Sequence, residues 1–420
     1  MTPLFPAQDA EAPQRLCILP RPQFFLMEGS FMCDANRARL RRRLPDLAML
    51  AFLLLFALAL ILLNRSVQKA PLLPEDGSTF EKGTVTALVE DDLTAGGGQV
   101  VQVLLRSGAH RGETVTADNS ASYLYGAACR VGTRVVVQLG EYGGALTASV
   151  YNYDRGGVLW ALVGLFLAVL CAIGGKRGLK SAAGLVFTFL CVLFLYLPLL
   201  YLGVSPFWAA VSVVALTTLV TLYLIGGPTR KSLCAILGTV VGVVAAGGIA
   251  ALFGALGRIS GYNVSDIETM IVIGQNSRLQ VGGVLFSGIL IASLGAVMDV
   301  AMSISSTASE LIAQTPSLTR RQLFRSGINV GRDMMGTMSN TLILAFTGGS
   351  VNTLLVIYAY DMPYLQVINM YAIGIEILQG LAGTLGVILT VPVVAALSAW
   401  AFGQREVAPA EQTLKIRINK

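Results

Sequence analysis

Uncharged apolar stretches alternate with short basic clusters along most of the chain. Reading from one flanking charge to the next gives apolar runs at 47–64, 156–175, 181–229, 232–257, 279–298, 334–360 and 377–404. A hydrocarbon core of about 30 Å is crossed by a helix of about 20 residues at about 1.5 Å each, and every run approaches or exceeds that length. The run 181–229 is long enough for two crossings. Inside it, Leu202-Gly203-Val204-Ser205-Pro206 supplies a stop, a loop and a proline suited to the first turn of a new helix. It therefore divides into 182–202 and 207–225, and the pattern predicts eight spans.

Between the first two spans the period changes. Gly83 to Val89, Gln99 to Leu105, Glu113 to Thr116 and Arg134 to Leu139 are β-rich runs separated by Gly, Asp and Asn turns. Such short strands in about 75 residues favour a small closed barrel, OB-like in kind, over an open sheet with exposed edges. The expected fold is thus an α-helical membrane bundle with an exterior all-β domain between spans 1 and 2. Its divisions are a basic amino-terminal tail (1–45), an anchor helix (46–64), the β domain (65–155), a seven-span bundle (156–404) and a basic tail (405–420). The anchor is not expected to be cleaved, because Asn-Arg-Ser-Val follows Leu63 instead of a small-x-small site. The proline-rich stretch ahead of it carries no assigned function, and Met27 and Met32 are alternative starts.

Composition agrees: 54% of residues are hydrophobic and only 13% charged, against about 25% charged in soluble proteins. An ordinary cytosolic enzyme is excluded. The net charge of +6 does not point to nucleic acid, since the basic residues sit at the ends of apolar runs, where they set topology. With the amino terminus inside, the cytoplasmic segments hold Arg39 to Arg43, Lys176, Arg177, Lys180, Arg230, Lys231, Arg320, Arg321, Arg325, Arg332 and the basic tail. The opposite short loops hold only Arg258 and Arg278. Both termini are expected in the cytoplasm.

Cys129 is the one cysteine of the exterior domain, so that domain has no internal disulfide, and a lone His110 leaves no zinc set. No cofactor is expected. Tyr123, Tyr125, Tyr142, Tyr151 and Tyr153 accompany acidic Glu90, Asp91 and Asp92 there, which suits a structural or protein-contact module better than a single-strand groove.

Ionisable groups inside membrane segments are costly and are functional candidates. Asp299, Ser303, Ser306 and Glu310 recur at i, i+4, i+7 and i+11 and share one helical face. The same face would serve an aqueous path or an interhelical seam, with Asp299 paired to Arg325 or Arg332 in the second case. At about 1.5 Å per residue from Leu279, Asp299 is expected roughly 30 Å in, near the cytoplasmic boundary. The seventh span opens with Arg332 and Asp333, then Thr337, Ser339 and Asn340, among Gly331 and Gly336. Dense oxygen groups at a helix entrance suit a proton or hard cation. Glu376, at the outer end of the last span, is a further pathway candidate as an outer gate, the alternative being an interfacial group.

Gly295-Ala-Val-Met-Asp-Val-Ala-Met-Ser-Ile-Ser-Ser306 and Gly331-Arg-Asp-Met-Met-Gly-Thr-Met-Ser-Asn-Thr-Leu-Ile-Leu-Ala345, together with the β domain from Gly83 to Leu139, resemble the YibE/F family of bacterial multi-span proteins over about residues 45–402. The resemblance implies a bacterial plasma membrane location and supplies no catalytic residue. The residues themselves point to a secondary transporter or permease, with no Walker-type loop for ATP-driven transport. The alternative is an accessory or sensory membrane protein whose β domain binds a partner. An intramembrane aspartyl hydrolase built on Asp299 and Asp333 lacks the sequence contexts of such enzymes, so the chain is read as non-enzymatic. The implied partners are the lipid bilayer, a protein held by the β domain, and further copies of the chain, with no nucleic acid.

Overall fold

The structure is a computed structural model that describes residues 49, 51–67, 78–91, 98–119, 127–142, 145–262 and 267–404. The two basic tails, Asp92, Tyr123 and Tyr125 lie outside the described residues. The chain divides into two units, Met1–Ala59 and Leu60–Lys420. In the first, Phe52 and Phe56 stack one helical turn apart with ring centroids 6.1 Å from each other. They belong to α1 (Ala51–Ser66), which crosses the division.

Five strands follow: β1 (Thr79–Asp91), β2 (Gln99–Leu105), β3 (Thr114–Asn119), β4 (Arg134–Tyr142) and β5 (Ala145–Tyr153). They close into a barrel in the order β1-β2-β3-β5-β4. Closure removes the free edges that a five-stranded open sheet would expose. The 13-residue β1 pairs with both β2 and β4, and irregularities at Val85/Ala87 and Leu88/Glu90 bend it between them. Parallel β3 and β5 complete the ring at Asp118 and Ser149. Period-two alternation is clear in β2, where Gln99, Val101, Val103 and Leu105 are buried while Gln102 is exposed. Four strands match the sequence expectation. The fifth is additional; its Leu146, Ala148 and Val150 alternate with Thr147, Ser149 and Tyr151, a signal overshadowed by the polar and aromatic residues.

One end of the barrel is closed by a buried polar plug. The Cys129 N–H donates to Gln99 Oε1 at 2.7 Å and the Gln99 side-chain amide donates to the Cys129 carbonyl at 3.0 Å. Asn119 donates to the Ala127 carbonyl at 2.6 Å and to Gln99 Oε1 at 3.1 Å. These bonds satisfy backbone groups of a segment that is not itself a strand. Burial pushes the Cys129 thiol up to about 11.

The helical part comprises α2 (Gly156–Cys191), α3 (Leu197–Tyr201), α4 (Pro206–Gly226), α5 (Arg230–Leu256), α6 (Ile267–Asn276), α7 (Val281–Gln314), α8 (Arg320–Gly349), α9 (Val351–Ala359), α10 (Tyr364–Ile368) and α11 (Tyr371–Phe402). Among the described residues five helical segments are long and apolar enough to cross a membrane, and six if α8 and α9 form one bent span. Eight were expected, and the difference has three sources. Of the first expected span, 47–64, the described helix covers 16 residues, Ala51–Ser66, the residues ahead of it lying largely outside the described ones. Expected spans 2 and 3 are joined into one helical run of 46 residues, Gly156–Tyr201. The last source is the 61° bend between α8 and α9.

That 46-residue run would measure about 69 Å if straight. It is not straight. Gly175 holds φ 52° and ψ −132°, which breaks the helix just before the basic cluster Lys176, Arg177 and Lys180. A Cβ on Gly178 would collide with the Leu170 carbonyl, although residues eight apart in an unbroken helix are about 12 Å from each other. The chain therefore folds back on itself at this cluster.

A second irregularity, a π-helical turn at Val192–Tyr196, joins α2 to α3. Pro198 has no N–H, so the carbonyl of Phe194 loses its α-helical donor. The Asn64 side-chain amide donates to that carbonyl at 2.8 Å. From the same turn the Tyr196 hydroxyl bonds Ser287 on α7, both groups being buried.

The bundle centres on α5, α7 and α11, which approach closely because small residues face each other. Gly242 on α5 leaves no room for a Cβ beside Thr390 of α11, and Val297 of α7 also stands against it. Without a hydrophobic driving force between helices in lipid, such contacts and interhelical hydrogen bonds hold the bundle. Ser305 of α7 donates to the carbonyl of Lys231 at the start of α5 at 2.6 Å. Residues 318–320 are tied to the end of α11 by the Gln404 N–H to the Leu318 carbonyl and the Arg320 N–H to the Gln404 carbonyl, at 3.2 and 3.1 Å.

Candidate functional site

α7 and α8 carry most of the expected site. α7 continues as one helix of 34 residues past the end of its apolar run, and Asp299 lies 18 residues, about 27 Å, from its start. The buried face of this stretch is Val297, Val300, Ala301 and Ile304. Asp299 and Glu310 are exposed and Ser303 and Ser306 half-buried, so the expected shared face exists and points away from the packed core. Glu310 accepts from Gln314 at 3.3 Å. Ser305, one position off that face, is fully buried, as are Ser287 and Ser293 earlier in α7.

α8 begins at a capping box, with the Thr319 hydroxyl accepting from the Gln322 N–H and the Gln322 side chain accepting from the Thr319 N–H. Of its 30 residues only Leu323, Gly327 and Gly331 are buried. Gly327 lies against Ala395 and Ile304, and a Cβ on Gly331 would collide with Val391. α8 therefore leans on α11 and α7 by one narrow strip of small residues. Arg332, Asp333, Thr337 and Asn340 are exposed and Ser339 is half-buried. The Thr337 and Thr341 hydroxyls turn back to carbonyls one turn earlier, those of Asp333 and Thr337. Among the described residues no hydrogen bond or ion pair joins Asp299 to Asp333, Arg325 or Arg332. The two faces lie on helices that pack together, yet their acidic groups remain unlinked.

Glu376 belongs elsewhere. It lies in the second turn of α11 and lines a cavity of about 270 Å³ with the polar Thr347 and Ser350 and with apolar residues of α8, α9 and α11, among them Ile343 and Phe346. Along α8, Ser350 is 17 residues beyond Asp333, about 25 Å. The cavity sits where α8 breaks into α9. The Ser350 N–H bonds the carbonyls of Phe346 and Thr347 at 3.2 and 3.1 Å, and its own carbonyl accepts the Leu354 N–H at 3.0 Å. Its backbone is satisfied while its hydroxyl, buried, has no partner. One carboxylate oxygen of Glu376 is likewise closed off and unbonded. Ser350 was not anticipated, because the run 334–360 reads as one continuous span; the Gly348-Gly349-Ser350 triplet in its middle was the available signal of a break.

A family model described as YibE/F-like protein matches residues 162–404, the helical part, and stops short of the barrel. No curated protein and no solved structure matches the chain.

Proposed function

The chain belongs to the YibE/F-like protein family, and from that premise we propose that it is a secondary transporter or permease of the bacterial plasma membrane. In this reading it crosses the membrane eight times, α1 being the first crossing and the fold at Gly175 separating the second from the third, with both termini in the cytoplasm. The barrel, whose strand order suits an OB-like module, is then extracytoplasmic. The chain acts without a cofactor and without a catalytic group.

One observation carries the reading: the oxygen-rich faces of α7 and α8 point away from the packed core, with Asp299, Glu310, Asp333, Thr337 and Asn340 exposed. Polar and charged side chains on membrane helices are tolerated where they face water or a protein partner. Asp299, Ser303, Ser306 and Glu310 on one helix and Asp333, Thr337, Ser339 and Asn340 on the next would border a hydrated path, with Arg332 beside it. The helix break between α8 and α9 is of the kind found in transporters.

The test is flux into proteoliposomes under imposed proton, sodium and potassium gradients, with Asp299→Asn and Asp333→Asn compared to the wild type. Flux above that of empty vesicles, lost in either variant, is the expected result. Flux unchanged in both variants, or none under any gradient, would overturn the assignment. An accessory role has its own support in the barrel surface, where Phe80 and Tyr151 pair edge to face at 5.2 Å while both remain exposed. A partner retained after removal of residues 78–154 would count against that second reading.

A further inference from the structure

The cavity at the α8–α9 break has a chemistry that the outward faces of α7 and α8 lack. Its lining is dominated by hydrocarbon and aromatic groups, with Glu376, Ser350 and Thr347 as the polar side chains and no basic residue among them. A carboxylate oxygen shut away from water with no donor is costly, and so is a buried hydroxyl without a partner. Both costs fall if a cation carrying N–H donors enters. The Thr347 hydroxyl donates to the Ile343 carbonyl at 2.9 Å, so its oxygen has lone pairs left to accept.

The donor set decides between classes of cation. A hard inorganic ion such as calcium takes six to eight oxygens, and magnesium a near-octahedral shell. Three polar side chains against a predominantly apolar wall do not supply that. An organic ammonium needs only a carboxylate and one or two further acceptors for its head, and gains from an aromatic ring and aliphatic contacts along its body. Phe346, Ile343 and Ile377 offer those contacts. Benzene occupies a cavity of about 150 Å³, so a volume of about 270 Å³ has room for a ring with a short aminoalkyl arm.

We propose that this cavity binds a small lipophilic ammonium cation, its nitrogen held by Glu376 and Ser350 and its apolar body against Phe346. The proposal concerns binding alone and is independent of flux along α7 and α8: it would hold equally for a receptor.

Equilibrium dialysis of radiolabelled phenethylamine against the purified full-length protein tests it, with 2-phenylethanol as the neutral counterpart. The amine should bind saturably and roughly tenfold or more tighter than the alcohol, as a charge-assisted hydrogen bond requires. Glu376→Gln should remove that preference, and Glu113→Gln in the barrel should leave it intact. A Cβ on Gly380 would meet only Phe346, at 4.0 Å, so Gly380→Leu places a side chain in the cavity and should abolish binding of both compounds. Equal binding of amine and alcohol, a preference that survives Glu376→Gln, or no saturable binding up to millimolar concentration would overturn the proposal. Should Glu376→Gln fail to fold, the amine-to-alcohol comparison on the wild type and the Gly380→Leu result still decide it.

Discussion

Asn64 and Pro198 are 134 residues apart in sequence and coupled through one carbonyl. Because Pro198 cannot donate, Phe194 O lacks its α-helical partner and accepts instead from the Asn64 amide, which reaches it at 2.8 Å. Replacing Asn64 by Leu keeps the branched arrangement of four side-chain heavy atoms and removes the donor. Interhelical hydrogen bonds in membrane proteins average about 0.6 kcal/mol and reach about 1.7 kcal/mol. This one satisfies a carbonyl whose α-helical donor is missing, so a cost of about 1–1.5 kcal/mol is expected. Pro198→Ala restores an N–H four residues after Phe194 and gives the carbonyl an alternative. In that background Asn64→Leu should cost about 0.5 kcal/mol or less. The four proteins of this double-mutant cycle would be compared by reversible unfolding in mixed detergent micelles. A penalty for Asn64→Leu that is the same with and without Pro198 would refute the account, since the two residues would then act independently.

Two further predictions follow from packing and burial. Gly331→Ala, which drives a methyl into Val391, should destabilise the protein by about 1–3 kcal/mol. Gly336→Ala, five residues on with nothing within 4 Å, should instead be neutral or stabilising by up to about 1 kcal/mol. Equal effects of the two on thermal unfolding would mean that α8 does not rest on α11 at Gly331. In the barrel, the Cys129 thiol is raised from 9.0 to about 11 by burial, so at pH 8 it carries about a hundredfold less thiolate than a free thiol. Its protonated form is favoured by folding. The stability linked to it is complete below pH 9 and declines as the pH rises toward 11. Maleimide labelling across pH 7–10 should be slow in the native protein and fast after denaturation, and rapid native labelling at pH 8 would contradict the burial.

The sequence by itself pointed to a membrane environment for the helical part, because uncharged runs of about 20 residues match the length needed to cross a hydrocarbon core. It also determined the small β domain, since period-two alternation and turn residues are local properties of each strand. The basic cluster after Gly175 marked a reversal that the backbone carries out at that glycine. The sequence placed Asp299, Ser303, Ser306 and Glu310 on one face, as helical arithmetic requires. Only the tertiary structure decided where that face points. Periodicity fixes angles around one helix axis, whereas exposure depends on which neighbours that helix meets, and α7 meets α5, α11 and α4 by its other side. Closure of the barrel through β3 and β5 was decided at the same level, as was the 61° bend that creates the Glu376 cavity. Ser350 and Glu376 are 26 residues apart and come together only because α8, broken at a Gly-Gly-Ser triplet, packs along α11.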